Sequence, residues 1–151
     1  MTDVPRATHD VEARIGVSFA RQGLMVTLGA RLARAAPGEV DIHLPVSAHV
    51  SQQHGFVHAG AVAAIADSAA GYAALSLMPE GAGVLTTEFK INLLSPAAGD
   101  VIIAQGRVIK AGRTLTLAMT EVFAVNAGKE KLCALLTATL MRIEGRDGLT
   151  N

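Results

Sequence analysis

Charge of either sign is scarce in this 151-residue chain: thirteen acids balance thirteen bases, for a formal net charge of zero. A nucleic-acid or anionic-membrane partner needs a basic excess, and there is none. No run of like charges occurs that could tether the chain to a charged surface. Aromatic residues are equally sparse, with one Tyr, four Phe and no Trp, so no stacking surface demands an aryl ligand. The single cysteine, Cys133, excludes an internal disulfide and a metal site built from Cys pairs. Its apolar, β-branched surroundings predict a buried, inert thiol. The first ten residues, MTDVPRATHD, lack the basic-then-apolar order of a signal peptide. A cytoplasmic location is therefore expected.

What the chain does have is apolar residues. Half of it is hydrophobic and only 17% is charged, which places it among globular chains and not disordered ones. Its length suits one domain. The most apolar stretch, HGFVHAGAVAAIADSAAGYAALSLM, runs from His54 to Met78, and after His58 it holds one charged side chain, Asp67. Ala61–Met78 is almost long enough to cross a bilayer, but a central Asp would add about 2.5–3.5 kcal/mol to insertion. The stretch reads instead as a buried helix. An unpaired buried carboxylate costs several kcal/mol, so Asp67 is a candidate functional residue. The competing reading is a hydrogen-bonded structural Asp, or one facing a solvent gap. His54 and His58 lie four residues apart without a third ligand in reach, so no metal is expected.

Along the chain, the spacing of Val11, Ile15 and Phe19 predicts a helix over His9–Arg21, ending at Gly23. Met25–Arg34 and Glu39–Val46 flank the turn dipeptide Pro37-Gly38 and read as a β-hairpin, with Val40, Ile42, Leu44 and Val46 on its buried face. A loop, Ser47–His58, leads into a helix over Ala59–Met78 that is apolar on all sides and should be buried all round. Four β-branched segments follow: Val84–Leu94, Val101–Lys110, Thr114–Val125 and Lys131–Ile143. Their short connections predict an antiparallel meander. The last is apolar on both faces, which predicts a central strand covered on both sides. The organisation is thus an N-terminal helical segment (1–22), one α+β domain (23–145) and a flexible tail (146–151).

Three motifs add a resemblance. His54-Gly55-Phe56-Val57-His58-Ala59-Gly60 with Ala66-Asp67-Ser68, then Thr86–Ala97, then Gly106–Arg113, together resemble hotdog-fold acyl-CoA thioesterases of the PaaI-like family. Ala59 stands where that family usually has Gly; an Ala serves there if its φ is negative. The resemblance implies a long central helix wrapped by a curved six-stranded antiparallel sheet, and hydrolysis of acyl-CoA to the free acid and CoA. Asp67 would be nucleophile or general base. The Ala59 and Gly60 N–H groups at the helix start would polarise the thioester oxygen. Gln52 would place water or hold the substrate, His54 would orient the loop or touch the carbonyl, and Ser68 would support Asp67 or the departing thiol. Lys110 and Arg113 would bind the nucleotide phosphates of CoA, which is itself part of the substrate, so no separate cofactor is implied. Tyr72 reads as core. Asp67 in the second turn would feel the helix dipole, favouring its ionised form, against burial.

Two other functions use the same residues. A dehydratase or hydratase of β-hydroxyacyl or enoyl thioesters would pair His54 with Asp67, but the proline-rich loop and the Asp-then-His pair of those enzymes are absent. A non-catalytic acyl-CoA-binding module would not need the buried carboxylate. An open sheet edge along Val84–Leu94 is suited to pairing, and the resemblance implies a homodimer or homotetramer with its active site between subunits.

Overall fold

A computed structural model describes residues 4–149, with side chains from Asp10 onward. The outermost residues of the expected N-terminal segment and tail, 1–3 and 150–151, lie outside the described residues. Helix α1 (Val4–Ala20) begins earlier than the expected His9 and lays Ile15 and Phe19 into the core. Arg14 fastens it to the far end of the central helix, donating from Nη1 to the Met78 carbonyl at 3.0 Å and from Nη2 to that of Leu75 at 2.9 Å.

The expected first strand divides in two. Gly23–Leu28 forms a short helix, α2, which buries Met25. Gly29 closes it in the left-handed region (φ 73°), with its N–H on the last carbonyls, a turn that glycine enters without steric cost. Only Arg31–Ala36 extends as β1. It pairs antiparallel with β2 (Glu39–Pro45), where Val40, Ile42 and Leu44 are fully buried as the alternation predicts.

The central helix α3 (Ala59–Leu75) is 17 residues long, about 25 Å. Around it curve β3 (Gly83–Leu93), β4 (Val101–Ala111), β5 (Leu115–Asn126) and β6 (Lys129–Ile143). All neighbouring strands are antiparallel, in the order β1-β2-β4-β5-β6-β3. This is the α+β wrapped-helix architecture that the resemblance implied, with one correction. β4, β5 and β6 form a meander, but β3 does not join it beside β4; it pairs with β6 at the opposite edge. The Leu94 and Ser95 N–H groups still bond to the Cys133 carbonyl of β6. The chain then crosses beneath the start of α3, where Val57 N–H donates to Ala97 O at 2.9 Å. Seven residues, 94–100, separate the strands, and such a loop can reach about 23 Å, enough to step over two strands.

Helix and sheet meet closely. A Cβ on Gly106 of β4 would come within 2.5 Å of the Ala69 carbonyl oxygen, so glycine is required at this contact. Ile65, Ala66, Ala69, Ala70 and Ala73 are fully buried against the sheet. Burial on all sides does not hold, however. Ala63, Ala64, Asp67, Ser68 and Gly71 stay half-buried, a stripe at helical spacing that the curved sheet does not reach. β6 is an inner strand, yet its outer face is also left open at Leu135, Thr137 and Thr139. Among the described residues no helix is long and apolar enough to cross a membrane.

Candidate active site

Asp67 occupies the open stripe of α3 and lines a cleft of about 360 Å³ with Gln22, Ser68, Tyr72 and the β3 residues Val84 to Thr86. Its Oδ1 accepts a hydrogen bond of 2.8 Å from the Thr86 hydroxyl. Burial pushes the Asp67 carboxyl up from its ordinary range, and the Thr86 bond draws it partly back by favouring the charged form. The helix dipole has little part in this balance. Asp67 is the ninth residue of α3, about 12 Å from its start, whereas the dipole acts within the first turn.

Ser68 Oγ, beside it, donates to Gln22 Oε1 at 3.0 Å. Gln22 Nε2 donates in turn to the Tyr72 hydroxyl at 3.3 Å, which also bonds to Ser18 Oγ at 3.4 Å. Tyr72 is core, as expected, and its ring packs against Phe19 at 5.9 Å between centroids. Its hydroxyl is nonetheless part of the cleft's polar wall. Sequence reasoning missed Thr86 as the carboxylate's partner, although it lies in the quoted strand motif, and missed Gln22 altogether.

Gln52 and Ala59 lie elsewhere. They line a second cleft of about 370 Å³, with Phe56, Leu93, Leu94 and Cys133, at the N-terminal end of α3. The loop is shaped by a tight turn in which Gly55 N–H bonds to Gln52 O at 3.0 Å and Gln52 N–H to Phe56 O at 2.8 Å. Gly55 holds the left-handed φ of 83° that this turn requires. Ala59 has negative φ, since Ala127 is the one non-glycine residue of positive φ among those described. Its N–H has no intramolecular partner among the described residues. Gly60 differs from expectation: its N–H is already accepted, at 2.8 Å, by Nδ1 of His58, which caps the helix. One ready donor therefore remains where two were expected. His54 is exposed and lines neither cleft. Cys133 is buried, and burial raises its thiol.

Lys110 and Arg113 are exposed at the β4–β5 turn. Arg113 lines a polar hollow with Thr114, Arg142 and Glu144, apart from both clefts. Within one chain, then, six of the expected residues fall into three groups, Asp67 with Ser68, Gln52 with Ala59, and the cations of the turn, while His54 and Gly60 line neither cleft. No cluster of three or more metal-ligating side chains occurs among the described residues.

Comparison with known proteins identifies the family. The family model of the thioesterase superfamily matches residues 54–131. A proposed esterase of Halobacterium salinarum is 32% identical over 105 residues, covering 66% of this chain and 69% of that protein. Among solved structures, a thioesterase family protein from Silicibacter pomeroyi is 48% identical, with a TM-score of 0.87 over 89% of this chain and 99% of the other. A mutant of the phenylacetic acid degradation protein PaaI from Thermus thermophilus is 28% identical, with a TM-score of 0.70 over 81% and 100%. The E. coli PaaI protein, at 24% identity and a TM-score of 0.81 over 92% and 97%, shares the fold. The chain belongs to the thioesterase superfamily, as a PaaI-like hotdog-fold thioester hydrolase.

Proposed function

We propose that the protein hydrolyses acyl-CoA thioesters, with Asp67 as general base and the active site shared between two subunits. The observation that carries this reading is the position of the two clefts. Both open along β3, one of the two edge strands of the sheet, at opposite ends: Val84–Thr86 border the Asp67 cleft, and Leu93–Leu94 border that of Gln52 and Ala59. If two β3 edges pair antiparallel about a twofold axis near Lys90, the Asp67 end of one strand comes beside the Ala59 end of the other. The exposed Phe89 and Leu93 favour such pairing. The exposed Ile109, Leu115 and Leu117, on neighbouring strands β4 and β5, offer a second surface for joining dimers into a homotetramer.

In this site Asp67 takes a proton from water as the water oxygen attacks the thioester carbon. The Ala59 N–H of the partner subunit receives the developing oxyanion, and the C–S bond breaks to release CoA thiolate and the acid. Gln52 of the partner subunit holds the carbonyl or the water. Arg113 and Lys110 supply cations for the phosphates of CoA, which is part of the substrate.

Acetyl-, hexanoyl- and benzoyl-CoA, followed by release of free thiol, test the activity. Asp67→Asn should lower kcat at least about 100-fold while its circular dichroism stays native. A folded Asp67→Asn enzyme of full activity would overturn the assignment. A light-scattering mass of one chain, taken on fully active enzyme, would overturn the shared site.

A further inference from the structure

Gln22 stands at the N-cap position of α2, yet its side chain makes no capping bond. Instead the amide reaches across to α3, where Oε1 accepts from Ser68 Oγ at 3.0 Å and Nε2 donates to the Tyr72 hydroxyl at 3.3 Å. It does so on the wall of the Asp67 cleft. A cap would satisfy helix ends at little distance; an amide stretched over 46 residues of sequence to a half-buried serine serves the cleft.

The bond directions have a consequence for the attacking water. A hydroxyl has one proton and two lone pairs. With its proton directed to Gln22, Ser68 Oγ presents only lone pairs to the cleft. Asp67 is likewise arranged, since Thr86 engages Oδ1 and Oδ2 is left to accept. Water has two protons to place, and Asp67 and Ser68 both line this cleft, so Asp67 Oδ2 and Ser68 Oγ are two acceptors available to it. A water so held turns a lone pair outward, toward a substrate carbon.

We propose that Gln22 is a positioning residue of the hydrolytic site, acting through Ser68 to make that hydroxyl an acceptor for the nucleophilic water. The inference rests on the general-base reading of Asp67. The residue comes from the N-terminal helical segment, outside the 54–131 region that the family model matches. The site of this protein thereby extends beyond the thioesterase motif.

The test is a double-mutant cycle on whichever of acetyl-, hexanoyl- and benzoyl-CoA turns over best. Gln22→Met, of similar length but without hydrogen-bonding groups, and Ser68→Ala should each lower kcat about tenfold with KM changed less than about twofold. The double variant should be no slower than Ser68→Ala, because Gln22 acts only through the hydroxyl that this substitution already removes. Gln22→Glu keeps an acceptor and should restore most of kcat. Its added carboxylate should also move the acid limb of the pH profile upward, since a like charge disfavours ionised Asp67. Losses that multiply to about 100-fold in the double variant, or a folded Gln22→Met enzyme with wild-type kcat, would overturn the proposal. Should Gln22→Met not fold, Gln22→Glu decides: a slow enzyme, or an unmoved acid limb, refutes it. If Asp67→Asn is active, the general-base reading has failed; if Asp67→Asn is dead and the cycle is additive, only the role of Gln22 has.

Discussion

The two sides of α3 use much the same residues for opposite ends. Toward the sheet, Ile65, Ala66, Ala69 and Ala70 are sealed, with Gly106 drawn up against Ala69. Away from it, Ala63, Ala64 and Gly71 lie half-open, and Asp67 and Ser68 stand between them. Alanine on the first side permits close packing. On the second, Gly71 leaves room for the cleft. The side chains differ little, so what separates packing from chemistry is the reach of the curved sheet.

This contrast predicts that sheet-side substitutions remove stability and cleft-side ones remove activity. A large stability effect is expected at Ile65, whose truncation to Ala leaves a cavity in a fully buried position. A loss of about 2–5 kcal/mol should appear in urea unfolding. Equal stability in Ile65→Ala would break the comparison at its strongest point. Gly106→Ala should cost a comparable amount, because the new methyl meets the Ala69 and Ala70 backbone and no flexible side chain can give way. Its melting temperature should fall while thioester hydrolysis per folded molecule persists.

On the cleft side the smallest of these changes is Thr86→Val, which exchanges a hydroxyl for a methyl. The Thr86 bond stabilises the charged carboxylate, so its removal favours the protonated form and raises the Asp67 carboxyl further. The acid limb of kcat/KM should therefore shift to higher pH, with activity on the alkaline plateau little altered. An acid limb that moves downward, or a large loss of melting temperature, would place Thr86 on the packing side of the comparison instead.

The folded-state shift of Asp67 also sets a sign for stability. Its raised value means the native state binds the proton more tightly than the unfolded chain, so stability falls as pH rises through that window. Asp67→Asn removes this penalty and keeps the Thr86 contact. At neutral pH it should melt no lower than the wild type, even as it loses activity. The difference should vanish on acidification below the carboxyl's range.

Much of this was legible in the residues because it is local. The alternation of β2 sorted its buried face, the Ala-rich run after His58 became α3, and the isolated charge at Asp67 marked the cleft. Each follows from a period of two or of 3.6 residues within one segment. Tertiary structure alone decided the rest. Nothing in Val84–Leu94 says that its partner is β6, since strand pairing is chosen by which sheet edge remains free after the meander closes. Met25–Leu28 had enough apolar residues for a strand, and Gly29 turned them into a capped helix instead. The His58 ring took the Gly60 N–H, a competition between donors that spacing does not reveal. Gln22 meets Ser68 only because α1 and α2 fold back over α3, with Phe19 on Tyr72 and Arg14 on the last carbonyls. Sequence patterns report which face of an element is apolar; which distant side chains share a cleft depends on how the elements close upon one another.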